Sequence, residues 1–203
     1  MDGEETFAAM AEAIRNAAQS IFLTGWWLTP DYYLIRDGSS TEMIASRLDK
    51  LLLDRAENNV QIFIIIWDNV DSIIPIKSSH TKKYLDGLHP NIQVERHASS
   101  VQQFLAWSHH QKSLVIDEKI AFVGGLDICL HRWDQSSHPV TDPSHVRALF
   151  PGRDYYNSRI SSDNDDKNDE SFMEYCALDR SLHPRMPWHD VSCRVEGDSA
   201  TDV

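Results

Sequence analysis

The segment Val60-Gln-Ile-Phe-Ile-Ile-Ile-Trp67 constrains this chain more than any other. It is far shorter than the ~20 apolar residues of a membrane span. Its β-branched run predicts a strand buried on both faces of a parallel sheet. Helical periodicity flanks it. Phe7, Met10, Ala11 and Ile14 predict a helix over 5–18. Ile44, Leu48, Leu51 and Leu52 predict another over 41–57, with Ser39 and Glu42 as its capping box. A third helix is expected over 79–87. Further strands are expected at Ser20 to Leu28 (ended by Thr29-Pro30), Ile92 to Arg96, Lys112 to Ile116, Ile120 to Val123 and about 189–196. Strands alternating with helices give an α/β class, a largely parallel sheet flanked by helices. The chain's 203 residues read as one domain. Its sheet core covers about 20–126, an irregular excursion about 127–188, and a final strand about 189–196.

Charge narrows the partners. Lys plus Arg is 19 against 31 Asp plus Glu, a net charge of -12. That argues against nucleic acid, whose phosphates are held by Lys and Arg, and gives no general attraction to anionic lipid. Cys129, Cys176 and Cys193 are too widely spaced for a disulfide framework or a CxxC metal pair, so reduced thiols are expected. MDGEETFAAM is no signal peptide. The expected location is the cytoplasm, with membrane contact at most peripheral. The run SSDNDDKNDES at 161–171 reads as a solvated loop.

The chemistry concentrates in Trp107-Ser-His-His110-Gln-Lys112-Ser-Leu-Val-Ile-Asp117-Glu-Lys-Ile-Ala-Phe-Val-Gly124-Gly125. Residues two apart on a strand share a face, so His110 and Lys112 project together. Imidazole is a nucleophile or proton carrier near neutral pH. Ammonium suits a phosphate oxygen. A nearby carboxylate can orient the imidazole or balance the lysine, and no metal is needed. The glycines permit close backbone approach or positive φ. A lone His-x-Lys is usually a solvated strand face. Five fixed positions are different: by chance they would coincide on the order of once in ten thousand such chains.

The pattern H-x-K-x4-D-x6-G-G resembles the signature of the phospholipase D superfamily. The flanks resemble its eukaryotic phosphatidylcholine-hydrolysing branch: Thr24-Gly-Trp-Trp-Leu-Thr-Pro30, Leu88-His-Pro-Asn-Ile92, Phe122-Val-Gly-Gly-Leu-Asp127, Arg132-Trp-Asp134, Phe150-Pro-Gly-Arg-Asp-Tyr155, Pro187-Trp-His-Asp190 and Cys193-Arg-Val-Glu-Gly197. The resemblance implies the first half of a phospholipase D-type catalytic fold. It implies a ping-pong phosphodiesterase that converts phosphatidylcholine to phosphatidic acid and choline. His110 would form a phosphohistidine, Lys112 would hold the non-bridging oxygens, and Asp117 would support the site, with Gly124 and Gly125 behind them. No cofactor is implied. The substrate would be a phospholipid at a membrane surface. Family members of this branch carry the signature twice, whereas the full signature occurs here once. A second half-site would come from a homodimer mate or a complementary polypeptide. The alternative is a catalytically inactive truncated fragment that binds a phospholipid headgroup or a partner enzyme. A single-signature nuclease fits less well, given the flanks and the acidic charge.

Other candidates read as structural. His109 should point away from His110 and pack or hydrogen-bond. His131, His138 and His145 are expected at the surface, with no Cys or carboxylate pattern to suggest zinc. At least one of Trp26 and Trp27 is expected to pack in the core; either could line a headgroup pocket.

Overall fold

The computed structural model describes residues 2–36, 40–69, 74, 76–97, 107–142, 149–160 and 178–203. Helix α1 spans Gly3–Arg15 and opens with a capping box between Asp2 and Glu5. Its Phe7, Met10, Ala11 and Ile14 are buried. Strand β1 is Ser20–Gly25. It stops before Leu28 because the Trp26 and Trp27 amides leave the ladder and donate to the Asp127 carboxylate. The helix expected over 41–57 is two helices, α2 (Ser40–Ala45) and α3 (Leu48–Glu57). Ser46 separates them: its hydroxyl bonds the Ile35 amide and the Met43 carbonyl, while Tyr33 bridges Arg47. Ser39, the expected cap, lies outside the described residues. Next come β2 (Gln61–Trp67), α4 (Ser78–Asp86), β3 (Ile92–His97), β4 (Ser113–Ile116), β5 (Ile120–Gly124) and β6 (Ser192–Glu196).

The six strands form one sheet in the order β3-β2-β1-β4-β5-β6. The α/β class therefore holds. The sheet is mixed, where a largely parallel one was expected: parallel pairing is confined to β1, β2 and β3, which helices connect. From β4 onward every pairing is antiparallel. A tight turn at 117–119, with Asp117 and Glu118 at positive φ, joins β4 to β5. Ile21, Leu23, Ile62, Ile64, Ile66, Val94, Leu114, Ile116 and Phe122 point to one face, where they pack with residues of α1, α3 and α4.

The expected burial of β2 on both faces is not what the structure shows. Ile62, Ile64 and Ile66 are buried, but Phe63 and Ile65 are 37% and 41% exposed. Phe22 of β1 stacks on Phe63 over this open face. Hydrophobicity on both sides of a strand does not require a layer on both sides. Nearer β6, the same face is covered by a final 3₁₀ turn, Asp198–Asp202, through Val115, Ala121 and Ala200.

Among the described residues, the stretch after β5 has one short 3₁₀ turn, Gly152–Asp154, and otherwise no regular element before β6. It adds Trp133, Phe150 and Tyr155 to the core. Three ion pairs with buried partners pin it: Arg36–Asp154 at 2.5 Å, Arg185–Asp134 at 3.0 Å and Arg180–Asp142 at 3.3 Å. Cys129 is buried and free, Cys193 exposed and free. Cys176, His145 and the 161–171 run lie outside the described residues.

Candidate active site

The antiparallel register brings the end of β1, the start of β4 and the end of β5 to the same end of the sheet. Thr24 near the end of β1 faces Ser113 at the start of β4, which faces Val123 near the end of β5. His110 and Lys112 enter from just before β4, and Asp127 from just after β5.

Lys112 is 8% exposed. Its Nζ lies 3.1 Å from Asp127 Oδ2 and donates to the His110 carbonyl at 3.0 Å. It also lies 3.3 Å from Nδ1 of the His110 ring. Asp127 is buried too. Its Oδ1 accepts the Trp26 amide at 2.7 Å and the Trp27 amide at 3.3 Å. The ammonium is thus held in place by a carboxylate that two backbone amides fix in turn. An unpaired charge at this depth would be costly. His110 is exposed, with its ring against Trp26 at 5.8 Å. Trp26 in turn stacks on Trp67 at 5.8 Å and 13°. A fixed cation beside an accessible imidazole, backed by a flat indole pair, can receive an anionic group.

Asp117 is not part of this constellation. His110 and Lys112 precede β4 and Asp117 follows it, so a four-residue strand of roughly 13 Å separates them. Its carboxylate accepts the amides of Ala18, Gln19 and Ser20 at 2.9, 2.7 and 2.9 Å. Partial burial would raise its pKa, but these three donors outweigh that and hold it below the usual carboxylate value. Asp117 therefore fastens the β4–β5 turn to the start of β1. The carboxylate that balances Lys112 is Asp127, which spacing had not singled out. Its only sequence signal was its place directly after Gly124-Gly125-Leu126.

The two glycines serve close approach, not positive φ. A Cβ on Gly124 would stand 2.3 Å from the Val191 carbonyl oxygen, and one on Gly125 2.1 Å from Asp190 Oδ1. They let the returning segment lie flat against β5, with the Gly125 amide donating to Val191.

His109 points away from His110. It bonds the Gly25 carbonyl at 3.4 Å and stacks on His97. Burial lowers its pKa. His80-Thr81-Lys82 repeats the bare His-x-Lys spacing, but on helix α4. There His80 stacks on Tyr84, while Lys82 pairs with Asp86. The spacing carries meaning only on extended backbone. His131, expected at the surface, is half-buried. It stacks on Tyr156 at 4.0 Å and bonds the Arg153 carbonyl at 3.0 Å. Burial pushes its pKa down to about 4. His138 is half-buried beside Asp134. Trp27 packs against the core, while Trp26 lines the site.

The family model described as Phospholipase D matches residues 13–203. Phospholipase D B of Dictyostelium discoideum is 41% identical over 205 residues. Phospholipase D zeta 1 of Arabidopsis thaliana is 42% identical over 207, and Phospholipase D1 of Saccharomyces cerevisiae 39% over 207. Each alignment covers all of this chain but only 16%, 18% and 12% of those proteins, respectively. Among solved structures, NucT from Helicobacter pylori is 19% identical and aligns over 66% of this chain and 74% of its own, with a TM-score of 0.46.

Proposed function

The chain belongs to the phospholipase D family, and we propose that it supplies one half of a phosphodiesterase site that acts on phosphatidylcholine. The observation that carries this reading is the exposed His110 imidazole 3.3 Å from a Lys112 ammonium locked to buried Asp127. A ring nitrogen of His110 attacks phosphorus. The bond from phosphorus to the choline oxygen breaks, and a phosphohistidine forms. Lys112 meets the charge that develops on the non-bridging oxygens, at a depth where water screens it little. Water, or a primary alcohol, then displaces the histidine, giving phosphatidic acid or a phosphatidylalcohol. Asp117 takes no chemical step.

The leaving oxygen needs a proton and the second step needs a base. In our reading a second histidine supplies both, from a dimer mate or a complementary half. The reading fits the single full signature in the sequence. No helix among the described residues is long and apolar enough to cross a membrane; contact with substrate would be peripheral.

The test is phosphatidylalcohol formation from phosphatidylcholine vesicles and a primary alcohol, assayed across a range of protein concentrations. Wild-type product that rises faster than linearly with concentration, and vanishes in His110→Ala, supports a shared dimeric site. Asp127→Asn should lower the rate at least about tenfold, since it unpairs Lys112. No product from folded protein, alone or mixed with a second-half polypeptide of a relative, would leave the non-catalytic fragment as the answer.

A further inference from the structure

Asp2, His138 and His189 come from three separate parts of the sequence: the cap of α1, the turn after Trp133-Asp134, and the approach to β6. One carboxylate oxygen and one nitrogen from each ring lie within 4.8 Å of one another. His189 Nδ1 is 2.6 Å from Asp2 Oδ1, and the two imidazoles meet edge to face at 5.0 Å. None of the three bonds to His110, Lys112 or Asp127.

A buried scaffold holds the group. The Asp134 side chain is fully buried. It accepts Arg185 Nη1 at 3.0 Å and the Trp188 amide at 2.8 Å, which fixes the backbone next to His189. Its Oδ2 also lies 3.3 Å from Nδ1 of His138. The Glu4 amide donates to the Asp134 carbonyl at 2.9 Å, and Gln135 reaches Glu4 at 3.0 Å. The start of α1 is pressed so closely onto this turn that a Cβ on Gly3 would stand 2.6 Å from the Arg132 carbonyl oxygen.

We propose that Asp2, His138 and His189 bind a zinc-type divalent transition-metal ion, with water as the fourth ligand. Two imidazoles and a carboxylate are a donor set that zinc takes, whereas calcium and magnesium take oxygen. Tetrahedral bonds of about 2.0–2.2 Å bring donor atoms to roughly 3.3 Å apart. The donors now lie within 4.8 Å of one another, so the ion would have to draw them together; the His189 side chain, 67% exposed, has room to move. The Asp134–His138 pair is the arrangement that supports metal-bound histidines: a buried carboxylate accepts a hydrogen bond from Nδ1–H and leaves Nε2 for the ion. Among the described residues, nothing else bonds that Nε2. The ion would clip the start of α1, the turn at 134–138 and the approach to β6 to one another. Local spacing could not reveal it, because the ligands are scattered along the whole chain.

The experiment titrates Co²⁺, then Zn²⁺, into the untagged, chelator-stripped chain. Absorption and thermal unfolding are followed, beside His138→Gln and His189→Gln variants whose folding is checked by circular dichroism. The expected result is one tetrahedral Co²⁺ per chain, seen as visible d–d bands without a thiolate charge-transfer band, and displaced by Zn²⁺. Zn²⁺ should raise the melting temperature of the wild type. Each variant should weaken binding by at least the ~10–100-fold that loss of a supporting partner costs, and lose the Zn²⁺-dependent rise. Three outcomes overturn the proposal: no binding at micromolar ion, binding unchanged in the folded variants, or a thiolate band that puts the ion on cysteine.

Discussion

At the scale of the residue, the structure brings two of the patterned side chains, His110 and Lys112, together and sets the third, Asp117, at the far end of β4. His110 and Lys112 were legible because period-2 geometry puts both on one side of extended backbone. Asp117 was legible as a fixed position beyond the end of an expected strand, but spacing does not tell which backbone amides its carboxylate meets. Asp127 was hidden because one carboxylate after two glycines has no partner pattern to mark it. The clip role assigned to Asp117 can be measured. Asp117→Ala should cost about 1–2 kcal/mol at neutral pH, since three amides lose a charged acceptor that is partly exposed to water. The pH sign follows from its depressed pKa. The contribution is present above the unfolded-state value and is lost as pH falls through the lower folded value. Urea unfolding of both proteins should therefore show a gap that narrows in acid. A constant gap would mean that the carboxylate charge is not what holds residues 18–20.

At the scale of the element, existence and type were readable, but boundaries and environment were less so. The break at Ser46 was invisible because Ile44, Leu48, Leu51 and Leu52 stay in helical phase across it. What ends α2 is a hydroxyl reaching to Ile35, a contact eleven residues back. The β2 run was misread in a more instructive way: composition reports which side chains tolerate burial, not whether anything covers them. This gives a paired prediction. Ile64→Ala should cost about 2–4 kcal/mol, because it empties a packed position. Ile65→Thr, one residue along on the open face, should change stability by less than about 0.5 kcal/mol. Equal costs from chemical denaturation would show that the open face is covered in solution.

At the scale of the whole molecule, the α/β plan was legible, but the antiparallel half of the sheet was not. Nothing local distinguishes a strand that pairs with a near neighbour from one that returns from residue 192. The stretch after β5 looked unstructured because its order comes from scattered long-range pairs such as Arg36–Asp154 and Arg185–Asp134. The same scatter hid His131, whose burial depends on Arg153 and Tyr156. Its titration is a property of the assembled molecule. The unfolded ring takes a proton below its ordinary value of 6.5, while the folded one resists until about 4. The folded chain therefore binds fewer protons in that window, and stability is lost as pH falls through it, by about 2–3 kcal/mol. His131→Gln should flatten that part of the stability–pH profile; an unchanged slope would point to another group. The strand order also has a consequence in time. β1 lies at the centre of the sheet, yet β4, its partner on one side, is encoded nearly ninety residues later. A ribosome adding about 5–20 residues per second leaves that side of β1 without its partner for roughly 5–20 s. For that interval half of the sheet's middle strand is an open edge, and the nascent chain must be kept from pairing with whatever it meets.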